Sequence, residues 1–448
     1  MNKLILITAF IILLFSCTKT KKSTLPVKEN SEKYQVKIDS LLNTHLEANN
    51  FMGSIELSHK GKTVYKNTVG FSDIKTSKKV DSVTKYRIGS ASKIFTATLI
   101  FKALEENKLT LDKTIEIFFP KLKNANKITI AHLLQHRSGI HNFTKDNFLE
   151  YHTQYKSISE MLSMISNYKS DFEPNDKGDY SNSNYFLLSL ILEKTYKSTY
   201  KDLIHNKICK PLNLYDTYVG TKININNNEA YSYIYDKEWS KFPETNMSIL
   251  KGSGSIVSTS KDINNFIEAL FTGKLISTKS LSLMKTIKDH YGMGLFRYKI
   301  HDRQGYGHRG HVDGFRSTSI YFPEEKLSFT LLSNASKVDV NNIYSEILNL
   351  YFNDVIVDIS ETEIEKFVGK YISLKDKTHE STFIKDKKTL IHLIKDEFKE
   401  PLVYKGNNRF IMNQVYAESI SFTFSPDGKQ LTFKQGDYKD ILVKKTTP

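Results

Sequence analysis

The spacing serine-x-x-lysine recurs along this chain, at Ser16, Ser198, Ser258 and Ser282 among other places, and spacing alone gives none of these pairs a chemical meaning. Ser90-Ala91-Ser92-Lys93 differs by its setting. It lies where the extended Tyr86-Arg87-Ile88-Gly89 turns into a helix expected to begin near Lys93. At a helix N-terminus, unpaired backbone N–H groups and the positive end of the dipole surround the serine oxygen, and a lysine three residues on shares its face. An alcohol is too weakly acidic to act as a nucleophile unaided, so a neighbouring amine has to take its proton. That amine works only while neutral, a state that burial and cationic neighbours favour. Two further short patterns follow in order. Tyr180-Ser181-Asn182 comes after Phe172-Glu173-Pro174 and just before an apolar helix, and Gly307-His308-Arg309-Gly310 lies on the approach to the extended residues 316–322. Each is weak by itself, because Tyr351-Phe352-Asn353 and His59-Lys60-Gly61 fit the same patterns.

These side chains need a scaffold, and the hydropathy pattern outlines one. Residues 52–58 alternate, His59-Lys60-Gly61-Lys62 is turn-like and Thr63-Val64-Tyr65 resumes extended character, which predicts a hairpin. A second hairpin is predicted from residues 316–322 and 327–333 about Pro323-Glu324-Glu325-Lys326. Between the two, helical spacing dominates: Ile94, Ala97, Phe101 and Leu104 recur at helical intervals, and residues 185–192 are densely apolar. Strands at both ends with helices between them predict an α+β fold, in which one antiparallel sheet is built from the N- and C-terminal parts of the domain and an all-α insertion covers it. The Asn-rich residues 223–228 read as a loop. From residue 361, short alternating strands separated by turns such as Gly406-Asn407-Asn408 and Ser425-Pro426-Asp427-Gly428 predict a separate, all-β, barrel-like module over residues 361–448.

Composition bounds the rest. With 39% hydrophobic and 12% aromatic residues the chain can bury a core that offsets chain entropy, so it is not intrinsically disordered. Two cysteines make neither a disulfide framework nor a Cys₄ zinc site. A net charge of +15 first suggests nucleic acid as a partner. The N-terminus argues otherwise. Behind Lys3, residues 4–15 are almost wholly apolar, too short a run to span a bilayer and of the length of a signal-peptide core. Leu14-Phe15-Ser16-Cys17 resembles the bacterial lipoprotein signal, in which the cysteine becomes the acylated N-terminus. Residues 1–16 therefore read as a signal peptide and Cys17 as the lipidation site. Residues 17–33, with Lys19, Lys21, Lys22, Lys28, Lys33 and Pro26, read as a flexible basic tether beside anionic lipid. The expected location is the bacterial cell envelope, anchored to the membrane by lipid, outside the cytoplasm and away from nucleic acid.

The three short patterns, in this order, resemble those of the serine β-lactamase and penicillin-binding-protein superfamily, most closely its class C β-lactamase-like branch, with D,D-carboxypeptidases, D-aminopeptidases and esterases. The resemblance runs over residues 40–350. It also rests on Ile128-Thr129-Ile130, on His132-Leu133-Leu134-Gln135-His136-Arg137-Ser138-Gly139, on Gly254-Ser255-Ile256-Val257, on Tyr291-Gly292-Met293-Gly294 and on Gly314-Phe315. It implies that residues 34–360 form a serine hydrolase domain acting through a Ser90 acyl-enzyme on amide or ester bonds of small peptide-like substrates. Ser90 would be the nucleophile and Lys93 its proton acceptor. Tyr180 would share the base role and return the proton to the leaving group, while Asn182 would hold Lys93 and the substrate amide. The backbone N–H groups of Ser90 and of His311, on an edge strand beside Gly310, would hold the oxyanion, each such donor being worth about 3 kcal/mol. Neither metal nor cofactor is implied. The third pattern departs from the usual Lys-Thr-Gly: His308 loses its charge near neutrality, so recognition of a substrate carboxylate there becomes pH-dependent or is lost. That departure favours a peptidase or esterase over a true β-lactamase. Arg309 could clamp a carboxylate instead, although strand alternation points it away from the pocket.

A reading from another class keeps the fold without the chemistry, as a non-catalytic binding or scaffold protein of the envelope. The intact set Ser90, Lys93, Tyr180 and Asn182 speaks against it. His132 and His136 have the i, i+4 spacing of a zinc pair, but Leu133 stands where a metalloprotease has glutamate, so packing or hydrogen bonding is expected of them. The C-terminal module resembles the small β-barrel or lipocalin-like domains appended to many such hydrolases, and contact with the catalytic domain is expected of it.

Overall fold

In the computed structural model, residues 27–300, 303–352, 359–394, 398–405, 408–412 and 419–445 are described. The signal peptide, Cys17 and tether residues 17–26 lie outside them. The long helices are α1 (Val27–Glu47), α2 (Ser92–Glu105), α3 (Asn182–Tyr196), α4 (Ser260–Phe271) and α5 (Val340–Tyr351). Helix α1 thus begins inside the segment read as a tether, and its buried Tyr34, Ile38 and Leu42, four residues apart, form one apolar stripe.

The strands of the main sheet are β1 (Phe51–His59), β2 (Lys62–Val69), β3 (Phe296–Ile300), β4 (Arg303–Val312), β5 (Phe315–Phe322) and β6 (Leu327–Ser336), in the antiparallel order β3-β4-β5-β6-β1-β2. Both predicted hairpins are present. β1 pairs with β6, so the sheet joins the two ends of the domain as the sequence predicts. β1 is buried on both faces. Ile55 and Leu57 pack with the stripes of α1 and α5, whereas Glu56 turns the other way and its carboxylate accepts from Ser260 Oγ at 3.2 Å on α4. Helices α2 and α3 lie in the large core on that second side, where Phe95, Ile100, Tyr185 and Leu190 are all buried. A helix apolar all round can only be central.

The third motif sits differently from the expectation. Gly307-His308-Arg309-Gly310 is inside β4, and β4 is not the outermost strand. β3 pairs with residues 303–307 and stops at Phe296, opposite Gly307, so residues 308–312 keep an open edge. The motif's two glycines are places where backbones touch. A Cβ at Gly307 would fall 1.9 Å from Ser319 O, and one at Gly310 would fall 1.9 Å from Ile88 O.

The C-terminal module is a sheet of nine strands among the described residues, from Gly369–Ser373 to Tyr438–Lys444. Its outermost members, Phe398–Pro401 and Val403–Tyr404, are joined by Leu402 alone, so the sheet curls almost closed around Tyr371, Phe383, Phe410, Phe422 and Phe424. Ile359 already belongs to that core, two residues before the expected boundary.

One buried ion pair fixes the approach to the site. Arg87, 2% exposed, reaches Glu244 at 2.7 Å and Asp313 at 3.2 Å, and donates to the carbonyls of Thr221 and Thr245. It ties the segment leading into Ser90 to the turn between β4 and β5. Arg87→Met removes the countercharge of a buried carboxylate and is expected to cost about 3–5 kcal/mol. Denaturant unfolding checks this, and a loss under about 1 kcal/mol would contradict it.

Candidate active site

Ser90 occupies a 3₁₀ turn, Gly89–Ala91, that leads into α2. Gly89 has φ +51°, and a Cβ there would fall 2.8 Å from His311 N, so this turn lies directly against the open edge of β4. Lys93, one turn on, is fully buried. Its Nζ is 3.0 Å from Ser90 Oγ, 2.7 Å from Asn182 Oδ1 and 2.7 Å from the Ser253 carbonyl. These three partners are uncharged. Burial therefore holds the amine well below its ordinary pKa. A neutral amine has two N–H donors and one lone pair, which suit the Asn182 and Ser253 oxygens and the Ser90 hydroxyl proton respectively. Tyr180 OH donates to Ser90 Oγ at 2.7 Å, and the chain of donors then runs in one direction, from Tyr180 to Ser90 to Lys93.

Each member of this set is held from a different element. Asn182 is the first residue of α3; its N–H donates to Asn142 Oδ1 at 3.0 Å and its Nδ2 to Thr144 Oγ1 at 2.9 Å, which leaves Oδ1 for Lys93. Ser253 follows Gly252, whose φ of +71° and close approach to Tyr185 O leave no room for a side chain. Neither Ser253 nor the Asn142 and Thr144 supports were expected from sequence, because a carbonyl's direction in a Gly-rich turn leaves no mark on residue type.

The β4 residues divide by face. His308 is 3% exposed, with its ring 4.6 Å from that of Phe296 and its Nδ1 paired with the Arg309 carbonyl. Burial above all pushes its pKa down to about 3. Of the two alternatives the sequence leaves open at His308, a neutral ring favours the loss of an ion pair with a substrate carboxylate over its tuning by pH. Arg309 points towards α5, where Nη1 donates to Asn341 Oδ1. A cavity of about 490 Å³ nevertheless takes in both faces, lined by Ser90, Tyr180, His308 and Gly310, and farther along by Arg309, Arg316 and Asp339. The main chain of His311 is at the site, while its ring is turned to the Asp313 carbonyl. Glu400 of the C-terminal module is raised by burial and by the Asp339 carboxylate, which places the module beside the mouth of the cavity. His132 and His136 each use Nδ1 on a main-chain N–H, of Thr129 and Ser181.

Comparison with known proteins was made against this geometry. Residues 49–350, two thirds of the chain, match the family model Beta-lactamase. The chain is 25% identical over 341 residues to the teichoic acid D-alanine hydrolase of Staphylococcus aureus, covering 74% of this chain and 82% of that protein. The crystal structure of D-amino acid amidase from Ochrobactrum anthropi SV3 superposes with a TM-score of 0.61 at 26% identity, covering 70% of this chain and 99% of the other. The octameric penicillin-binding protein homologue from Pyrococcus abyssi has the same fold over 91% of this chain and 99% of its own, with a TM-score of 0.65 and 22% identity.

The buried neutral histidines make acid stability a test of the geometry. For His308 the folded pKa, about 3, lies below the ordinary 6.5, so the unfolded chain binds more protons between those values. Its stabilising contribution is complete above about pH 6.5 and is lost as pH falls through that window; His136 acts in the same direction. The melting temperature is expected to fall between about pH 6.5 and 4, and less steeply in His308→Gln. An unchanged slope in the variant would contradict the burial of a neutral imidazole.

Proposed function

The chain belongs to the Beta-lactamase family, and from that premise we propose that it is a serine hydrolase acting through a Ser90 acyl-enzyme on amide or ester bonds of small, peptide-like substrates. The observation that carries the proposal is the position of Ser90 Oγ, 2.7 Å from Tyr180 OH and 3.0 Å from Lys93 Nζ. In the first step Ser90 Oγ bonds to the substrate carbonyl carbon while its proton passes to Lys93 Nζ. The carbonyl electrons move onto oxygen, and the N–H groups of Ser90 and His311 donate to that oxyanion. On collapse the bond to the leaving nitrogen or oxygen breaks, and that atom takes a proton through Tyr180. Water then attacks the acyl ester, surrendering its proton to the Tyr180–Lys93 pair, and as the bond from the acyl carbon to Ser90 Oγ breaks the pair returns that proton to Oγ. Asn182 holds Lys93 and the substrate amide, and Gly310 keeps β4 close enough to Ser90 for the strand edge to bind the acyl group. Arg309 supplies a positive charge farther along the cavity.

The neutral His308 supports a class C-like peptidase, amidase or esterase over a true β-lactamase, since the position that carries a lysine in the usual Lys-Thr-Gly is uncharged here. The names of the D-alanine hydrolase and the D-amino acid amidase make D-aminoacyl esters and amides the first substrates to try. The apolar residues 4–15 before Cys17 support an envelope lipoprotein, with the basic tether against anionic lipid.

Mass spectrometry of the folded protein after a fluorophosphonate or a penicillin should find one adduct, on Ser90, absent from Ser90→Ala. Lys93→Met should slow its formation by about 10²–10⁴-fold. Absence of the adduct from folded wild-type protein would overturn the proposal.

A further inference from the structure

Tyr180 approaches Ser90 from a loop, and a loop hydroxyl keeps a 2.7 Å contact only if its main chain and its ring are both held. One residue holds both. The carbonyl of His136 accepts from Asp179 N–H at 2.9 Å, and its Nδ1 accepts from Ser181 N–H at 3.1 Å, so His136 grips the loop on either side of Tyr180. Its imidazole lies against the Tyr180 ring with centroids 4.4 Å apart, and Tyr185 and Tyr291 flank it at 5.2 and 5.1 Å. His136 is 3% exposed and has φ +56°, in the left-handed region that Asn, Asp and His tolerate best. Burial keeps the imidazole neutral, so Nδ1 retains its lone pair and the ring proton sits on Nε2.

We infer that His136 is a positioning residue for the reaction, one that aims the Tyr180 hydroxyl at Ser90 without touching substrate. This rests on the Ser90 acyl-enzyme proposed above. An asparagine in its place would set Oδ1 where Nδ1 stands and would accept the left-handed backbone; a leucine fills the space and offers no acceptor.

The test is a double-mutant cycle read as the rate of Ser90 labelling by a fluorophosphonate. His136→Leu is expected to slow labelling by about 100-fold, the scale of a lost general base, and His136→Asn to recover all but about fivefold of it. In a Tyr180→Phe background, His136→Leu should add less than about threefold, because the hydroxyl it aims is gone. Should His136→Leu fail to fold, His136→Gln serves, since its acceptor lies one atom too far out. Multiplicative losses in the double variant, wild-type labelling in the single one, or equal rates for wild type and Tyr180→Phe would each overturn the inference. Failure of the wild type to label at all would instead remove the acyl-enzyme on which it rests.

Discussion

A primary amine buried without a countercharge among the described residues is the constraint around which this domain is arranged. Among those residues Lys93 meets neutral oxygens from Ser90, Asn182 and Ser253, and each comes from a separate part of the chain. In the interior a charged amine is strongly disfavoured, so the fold that buries Lys93 also sets its protonation state. That burial explains the two central helices. α2 carries the lysine and α3 carries the asparagine, and both are enclosed by apolar neighbours over most of their length.

The sheet completes what the helices begin. Because β3 stops at Phe296, the end of β4 runs on beyond the β3 ladder, and the turn bearing Ser90 lies against it. Unpaired edges are a hazard in most sheets. Here the edge is short and enclosed by the cavity, and peptide N–H groups in that position are suited to an acyl oxygen or a peptide-like substrate. Gly310 allows the contact, and the Arg87 ion pairs brace it from behind. His308, on β4, packs its ring against Phe296 and is kept uncharged by burial, so it puts no second cation near the amine at working pH.

Much of this was legible in the sequence where residue type and order carry the information. Ser90, Lys93, Tyr180 and Asn182 come together in space, and the sheet is formed from both ends of the domain, as the two hairpin patterns imply. What could not be read was set by main-chain direction. Gly305, Gly307 and Gly310 lie in a strand, and each marks a close approach that only the folded partner reveals. The Ser253 carbonyl is invisible to any residue pattern. The protonation of His308 depends on Phe296 and on burial, neither of which lies near it in sequence.

The most direct measurement is the protonation state of Lys93 itself, followed by NMR of Nζ in selectively ¹⁵N-labelled protein and assigned by the resonance missing from Lys93→Met. The account predicts an amine shift that is already that of neutral NH₂ at about pH 7 and moves to the ammonium value only on acidification. A Lys93 resonance with the ammonium shift from about pH 6 to 9 would contradict it, because the amine that has to accept the Ser90 proton would then be already full.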